Sequence, residues 1–502
     1  MKRYLIIVML LCIVSTKAAA QDGPIPLSLQ QAIQLAVENN LDVKAELFNT
    51  AMFEADVRRY RGIYDTLLSG FLNYQESTTI PSSTVLSGGT TKYEQKTLQY
   101  DAGVSQLLPT GGTVGASFHN NWIRNNSDPS RGFLTDYYQS DLVLEFTQPL
   151  LQNFGRDVTE LNISTAKFNK EGSFDQFKFQ LLNTVSRVTA QYFQLISAHQ
   201  DVEIRKTSLA LAERILNDTK ARVNAGVLPA MEILNAEFGV ATRQRELIDA
   251  ERILLDQSDL LRLLIQMPGK GEIVPSGTLS RTEVPVDEGA AVKRALAERP
   301  DLNLLETGLK LNQLQSRVAR QQTLPNLLLA GSYAPTGLAE DYSRDLDRLA
   351  SNQYPVWGVG LQLSYPLGNR AAKNDYIRSK LKIEQTATQI QSLQENIINE
   401  VRTAIRAIQS TFKQLEVTSR GRAYAEERLN AFIKRNQVGL ATTKDVLDVE
   451  NDLATAKGNE IKALADYNSA VTRYWTVTGE LLAREGINVS TKNADALYER
   501  NR

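Results

Sequence analysis

The sequence predicts a mainly α chain with a membrane β-barrel portion, in which one plan of helix, strands and long helical hairpin is written twice. Three observations carry that prediction. Arg222–Glu237 (RVNAGVLPAMEILNAE) and Arg435–Glu450 (RNQVGLATTKDVLDVE) are two versions of one stretch, with Arg222 opposite Arg435, Gly226 opposite Gly439, Leu234 opposite Leu447 and Glu237 opposite Glu450. Segments of alternating polarity precede a long helical pattern in each half. Neither long helical pattern contains a proline.

The repeated stretch reads as the tip of a helical hairpin. A helical pattern runs up to each glycine and another starts soon after it. Glycine at that place is the left-handed residue that stops a helix. Pro229 suits the first turn of the helix that restarts, and Thr442 or Thr443 caps its counterpart. A coincidental turn in an all-α protein does not account for two copies flanked by long helices.

The N-terminus has the form of a secretory signal. Lys2 and Arg3 give the positive start, Tyr4–Val14 the apolar core and Ala18-Ala19-Ala20 the cleavage pattern, so the expected mature chain begins at Gln21. The formal net charge is −1, and loss of the three cations Lys2, Arg3 and Lys17 takes it to −4. Nothing in that balance suggests a nucleic-acid partner. Cys12, the one cysteine, leaves with the signal. Leu11 before it is not the small residue that a lipid-anchored start requires. A mature chain without thiols has no disulfide, no thiol nucleophile and no thiolate metal site.

The plan divides the 502 residues as follows. Residues 1–20 are the signal, 21–65 the opening helix of the first repeat, 66–150 its strands and loops, and 151–267 its long hairpin. Residues 268–285, rich in Pro, Gly, Ser and Thr, read as a linker. Residues 286–324, 325–367 and 368–484 repeat the three parts, and 485–502 are a polar tail. Ser28 with Gln31 forms a capping box for the first opening helix, which runs to about Tyr60. Its counterpart is Gly289–Gln322, with Asp42 matching Asp301, Arg61 matching Arg320 and Tyr74 matching Tyr333.

Leu67–Gln75, Leu98–Leu108, Thr113–Trp122 and Tyr138–Gln148 read as strands, as do Asn326–Tyr333 and Val356–Tyr365. In the last, Trp357, Val359, Leu361, Leu363 and Tyr365 share one wholly apolar face. Pro109-Thr-Gly-Gly112 is a tight turn, whereas Thr78–Thr97, Asn125–Thr135 and Thr336–Gln353 are long polar loops. A soluble sandwich is the plain alternative. Export, strands near the length of a tilted membrane strand, and long loops alternating with short turns favour a barrel.

Gln148-Pro149-Leu150 and Tyr365-Pro366-Leu367 end the strands, each followed by a glycine, Gly155 or Gly368. The long helices, about Val158–Asn224 and Ala371–Gln437, each span about 100 Å. Their return partners are about Ala230–Leu264 and Thr443–Leu482. Positions 383, 387, 390, 394, 397, 401, 404 and 408 keep a 4–3 spacing, with Gln394 the polar interruption. The other faces are rich in Gln, Asn, Ser and Thr, which suits helices packed sideways into a wall with water on both sides.

This duplicated order resembles the TolC-like outer-membrane efflux protein family over nearly the whole mature chain. The residues that carry the resemblance are Gly226 with Glu232, Leu234 and Glu237, Gly439 with Asp445, Val446, Leu447 and Asp448, and the exits Gln148–Leu151 and Tyr365–Arg370. It implies a homotrimer, with a trimeric α-barrel tunnel in the periplasm and a shared β-barrel in outer-membrane lipid. It implies an exit duct for efflux or type I secretion, coupled to a periplasmic adaptor and an inner-membrane RND or ABC pump. The tip residues Gly226, Val227, Leu228, Gly439, Leu440 and Ala441 would then dock the adaptor. Asp445 and Asp448, on one helix face, would form a ring of six carboxylates at a narrow opening. Such a ring favours cations, and crowding raises carboxylate pKa values. The alternative is two solvated acids in a first helical turn, where the dipole already favours them.

Two departures stand out. The family's gating tyrosine and arginine correspond here to Asn436 and Ala441, leaving Arg435 as the nearest substitute. Family chains contribute four strands each, yet the first repeat here holds four by itself, with Leu98–Trp122 as an extra hairpin.

No catalytic constellation or cofactor motif is present. His119 and His199 lie on different kinds of element, the acids are spread along helices, and Gly111-Gly112 lacks the strand–loop–helix setting of a phosphate loop. The rival classes are an envelope structural or adhesive coiled-coil protein without channel activity, which leaves the strands unexplained, and a secreted enzyme, which lacks its chemistry.

Overall fold

The computed structural model describes residues 25–83, 85, 89–269 and 271–500. The expected signal and mature start lie outside the described residues. In chain order the elements of the first repeat are β1 (Ile25–Leu27), α1 (Leu29–Asn39), α2 (Leu41–Arg61), β2 (Leu67–Thr79), β3 (Tyr93–Leu107), β4 (Thr113–Asn125), β5 (Asp136–Pro149), α3 (Arg156–Thr159), α4 (Leu161–Asn224) and α5 (Met231–Ile265). Then come β6 (Ile273–Pro275), α6 (Glu288–Glu298), α7 (Pro300–Gln321), β7 (Asn326–Ala339), α8 (Tyr342–Ser351), β8 (Pro355–Ser364), α9 (Arg370–Gln437), α10 (Thr443–Val477), α11 (Leu481–Arg484) and α12 (Lys492–Arg500).

The chain forms two compact units. Of the described residues, one comprises those up to Leu47, Gln176–Asp301 and Leu393–Ser490, the other Phe48–Asp175, Leu302–Ser392 and those from Thr491 onward. The second unit contains all six expected strands, as one antiparallel sheet in the order β2-β3-β4-β5-β7-β8. Four come from the first repeat and two from the second. Pro109–Gly112 makes the expected tight turn: Leu108 N–H reaches Gly112 O at 2.7 Å, and Gly111 sits at φ 86°.

The segment Thr336–Gln353 is not a loop throughout. Its start continues β7, and Tyr342–Ser351 forms α8, capped by the Asp341 carboxylate on Ser343 N–H at 2.7 Å. The tail is likewise not featureless. In α12, Asp495 pairs with Lys170 at 2.9 Å, and Glu499 pairs with Arg58 at 2.8 Å. Lys170 also pairs with Glu54 at 2.8 Å.

The first unit is mainly helical and holds the small β1–β6 sheet. Each opening helix is broken once. After α1, Asn40 leaves the helix at ψ 126° and its Oδ1 accepts the N–H groups of Asp42 and Val43, restarting the helix as α2. In the second repeat Arg299 takes ψ 124° because Pro300 follows it, and α7 begins at that proline. The return helix of the second repeat ends at Val477 rather than Leu482. Gly479 turns left-handed there, at φ 79°.

The linker is an ordered strap. Its β6 pairs in parallel with β1, Ile25 opposite Ile273. The Tyr192 hydroxyl donates to Leu27 O at 2.8 Å and accepts from Gly277 N–H. Further along, Asn468 bonds both backbone groups of Ser280, and the Tyr467 hydroxyl donates to Thr282 O at 2.7 Å and accepts from Val284 N–H. Satisfying these backbone groups lets the strap lie half-buried. Along α9, the seam residues Ile397, Val401, Ala404 and Ile408 are all fully buried.

Candidate functional site

Both helical tips close by the same device. At the first, Gly226 stands at φ 72°, Gly226 N–H bonds Val223 O at 2.9 Å and Val227 N–H bonds Arg222 O at 2.9 Å. At the second, Gly439 stands at φ 77°, Gly439 N–H bonds Asn436 O at 3.1 Å and Leu440 N–H bonds Arg435 O at 2.9 Å. This pair of bonds is the Schellman closure, which needs a left-handed residue. Val227 and Leu440 follow the glycines and are exposed; Leu228 and Ala441 are half-buried.

The restart differs. Before α5 no side chain caps the helix. Before α10, Thr442 and Asp445 form a reciprocal box: Asp445 N–H bonds Thr442 Oγ1 at 3.1 Å, and Thr442 N–H bonds Asp445 Oδ2 at 2.8 Å. Of the two threonines, Thr442 is therefore the cap. The backbone N–H of Thr442, together with its hydroxyl and then Arg435 and Lys444, holds the Asp445 carboxyl below the usual range. Within one chain this is opposite to the rise expected of a ring, where crowding arises between chains. Asp445 and Asp448 are both exposed on the first turns of α10.

Arg222 joins the two tips. Its Nη1 lies 3.1 Å from Asn436 Oδ1 and 3.3 Å from Asn436 O, and its Nη2 is 3.4 Å from Gln437 O. A cation on the last carbonyls of α9 suits the helix dipole. Asn436 Nδ2 in turn donates to Ala441 O at 2.9 Å. The two positions that the family resemblance set against a tyrosine and an arginine are thus bonded to each other. Arg435, the substitute suggested by the sequence, reaches only Leu440 O at 3.5 Å and lies over the Phe432 ring.

Deeper in the hairpins is a cluster that sequence reasoning missed. Arg243 and Glu450 are 6% and 3% exposed and pair at 2.8 Å. Arg243 Nη2 also bonds Leu447 O at 2.9 Å, and the Ser208 hydroxyl donates to Glu450 Oε1. Beside them, a Cβ at Gly239 would meet Leu447 Cδ1 at 2.6 Å, so a larger residue there would require the leucine to move. The repeat alignment marked Glu450; its burial and partners had no local signal.

The sheet has two chemically opposite faces. Partners across one rung are Leu68, Val104, Ala116, Leu144, Tyr333 and Trp357, apolar on every strand. Three residues further along β2, on the opposite face, the rung reads Phe71, Asp101, His119, Asp141 and Thr336. Strand alternation keeps these rungs on opposite faces. On the polar face His119 Nδ1 is 3.2 Å from Asp101 Oδ2, and its Nε2 is 2.9 Å from the Ser117 hydroxyl. His199 lies in α4.

On the apolar face, α8 covers the polar pair Asn120 and Ser140. The Ser140 hydroxyl donates to the carboxylate of Asp345, which is fully buried, and its oxygen lies 2.8 Å from Asn120 Oδ1. The Tyr342 hydroxyl reaches Asn120 at 3.3 Å, and its ring leans on Tyr138. Gly337 lets α8 come this close, since a Cβ there would overlap the Asp345 carbonyl.

Among the described residues no group of three or more His, Cys, Asp or Glu could hold a metal, and no helix is long and apolar enough to cross a membrane. The site therefore offers shape, charge and an apolar surface.

Comparison with known proteins agrees with this geometry. The chain is similar to outer membrane efflux protein BepC of Brucella suis, 22% identical over 73% of this chain and 78% of the relative. It is also similar to outer membrane protein TolC of Vibrio cholerae, 20% identical over 70% of this chain and 80% of the relative. The fold matches that of the Campylobacter jejuni CmeC outer membrane channel, with a TM-score of 0.62 over 94% of this chain and 89% of that one, at 15% identity. The profile of the outer membrane efflux protein family matches residues 91–265 and 291–480. With both repeats covered, the chain belongs to the outer membrane efflux protein family, and its place is the outer membrane.

Proposed function

We propose that three copies of the chain close into a passive exit duct for efflux or type I secretion. The duct docks tip-first on a periplasmic adaptor and is driven by an inner-membrane RND or ABC pump. The observation that carries this reading is the two-faced sheet: apolar rungs on one side, a polar Asp101–His119–Asp141 rung on the other. Such alternation suits the wall of a water-filled pore in lipid. Relatives named for efflux support it. The exposed turns Gly226–Leu228 and Gly439–Ala441, with Val227 and Leu440 bare, supply the adaptor-docking surface. Asp445 and Asp448 from three chains supply six carboxylates at the narrow end.

The direct test is reconstitution of the purified protein into a planar lipid bilayer. Discrete ion-conducting steps are expected, and a protein that inserts yet never conducts overturns the duct. For the carboxylate ring, the double variant Asp445→Asn, Asp448→Asn should lose cation preference and block by multivalent cations. Unchanged reversal potentials in a salt gradient would remove the ring.

A further inference from the structure

We infer that each protomer contributes six strands to the shared barrel, so that β2 of one copy pairs with β8 of the next and three copies make an eighteen-stranded wall. The inference rests on the trimeric duct proposed above and departs from the four strands per chain that the family resemblance implies.

The first argument is continuity. The β3–β4 hairpin, the extra one, is paired along its whole length on both sides, from Leu67 opposite Ser105 to Thr113 opposite Thr147. It also carries both faces of the wall. Val104 and Phe118 stand on the apolar side, Asp101 and His119 on the polar side. A hairpin that plugged the lumen or stood above the rim would not share the lipid-side rung with its neighbours.

The second argument concerns the edges. Among the described residues, β2 and β8 each have a strand on one side only. Free edges are normally guarded by charge, proline or bulges. β8 reads PVWGVGLQLS, without a charged residue and with its one proline at the first position. β2 reads LLSGFLNYQESTT, with a single glutamate near its end. Open edges cannot face hydrocarbon, so both require a strand. Six alternating strands leave β2 and β8 running in opposite directions, so β8 of one copy meets β2 of another antiparallel, as every other pair in the sheet does. A second copy of this chain is the occupant that satisfies both edges at once and continues both faces.

Barrel size follows from strand number. With a spacing of about 4.8 Å and a tilt of about 40°, eighteen strands give a wall about 36 Å across between backbones, against about 24 Å for twelve. The barrel is then not the narrowest part of the duct.

The test uses full-length mature protein in detergent, with chain number from native mass and strand number from electron cryo-microscopy of the same sample. Three chains and eighteen wall strands, β3–β4 among them, are expected. Three chains with twelve wall strands overturn the inference and leave the duct intact. A closed barrel from one or two chains overturns it together with the trimer. Disulfide trapping gives an independent readout, since the sequence has no cysteine beyond Cys12. Cysteine placed at Ser69, Phe71 or Asn73, combined with cysteine at Gly358, Gly360 or Gln362, should yield a disulfide-linked ladder of dimers and trimers for at least one pair. Only intrachain disulfides, or none across the scan, count against pairing between copies.

Discussion

The two return helices, α5 and α10, have equal length and equivalent places in the repeat, yet they meet different surroundings. Eighteen of the 35 residues of α10 are buried, against eight of the 35 in α5. Met231, Leu234 and Phe238 of α5 are between 67% and 76% exposed. Leu447, the counterpart of Leu234, is buried, and in the second repeat Leu429, Val446, Val449 and Leu453 form a core with Leu211 and Phe432. The aligned glutamates part in the same way. Glu237 is a surface residue paired with Lys220, whereas Glu450 is sealed against Arg243 and Ser208. Duplication therefore preserved the backbone device and let the side-chain environment diverge. One hairpin is packed within the chain, and the other was left with a bare apolar stripe at helical spacing, the kind of surface that the proposed neighbouring copy would cover.

The largest expected break in this comparison is Glu450→Ala. It strands the Arg243 guanidinium without its partner and should cost about 3–5 kcal/mol. Glu237→Ala, at the equivalent position, should stay within about 1 kcal/mol because its pair is solvated. Urea unfolding followed by circular dichroism compares the two, and equal losses would contradict the asymmetry.

Next come the glycines, where the repeats should behave alike. Gly226→Ala and Gly439→Ala both force a Cβ into a left-handed turn with open space around it. Each should cost about 1–2 kcal/mol. A marked difference between them would mean that the two closures are not equivalent.

The smallest effect separates the tips again. Thr442→Ala should remove about 1 kcal/mol from the start of α10, with no parallel at α5, which lacks a cap. The same variant should raise the Asp445 pKa toward its ordinary value, measurable by carboxyl-resolved NMR titration. The sign of the pH effect follows. A carboxyl whose folded pKa is depressed stabilises above its unfolded value, about 4, and that contribution is lost as pH falls through the folded value. The wild-type tip should therefore fray on acidification below about pH 4, and the variant should show less of that dependence.

Much of this architecture was legible because its signals are local. The tip glycines, the Thr442 cap, the Pro109–Gly112 turn and the period-two strands each announce themselves within a few residues. The β3–β4 pattern was visible too, as an extra hairpin. What escaped depended on partners far away in the chain. α8 is short and sits in a polar stretch, and its reason for folding is Asn120 and Ser140, some 200 residues earlier, which need cover on an apolar face. Arg243 was one cation among many until Glu450 reached it across 207 positions. The break at Arg299 did have a local sign, the proline after it, and Asn40 before Asp42 is a cap that a closer reading would have found. The candidate site was legible as two tips and an acidic turn; that Arg222 ties one tip to the carbonyls of the other was not.

The parallel pairing of β1 with β6 bears on how the protein is made. Ile25 lies in the first described strand, but Ile273 follows about 250 residues later, and the Tyr467 and Asn468 groups that fasten the strap come nearly 200 residues after that. Closing so long a loop cannot happen early. The strap that carries β6 must gain its last bonds late, and a chain interrupted before α10 would keep the Tyr192 tie to Leu27 and Gly277 but lose those from Tyr467 and Asn468.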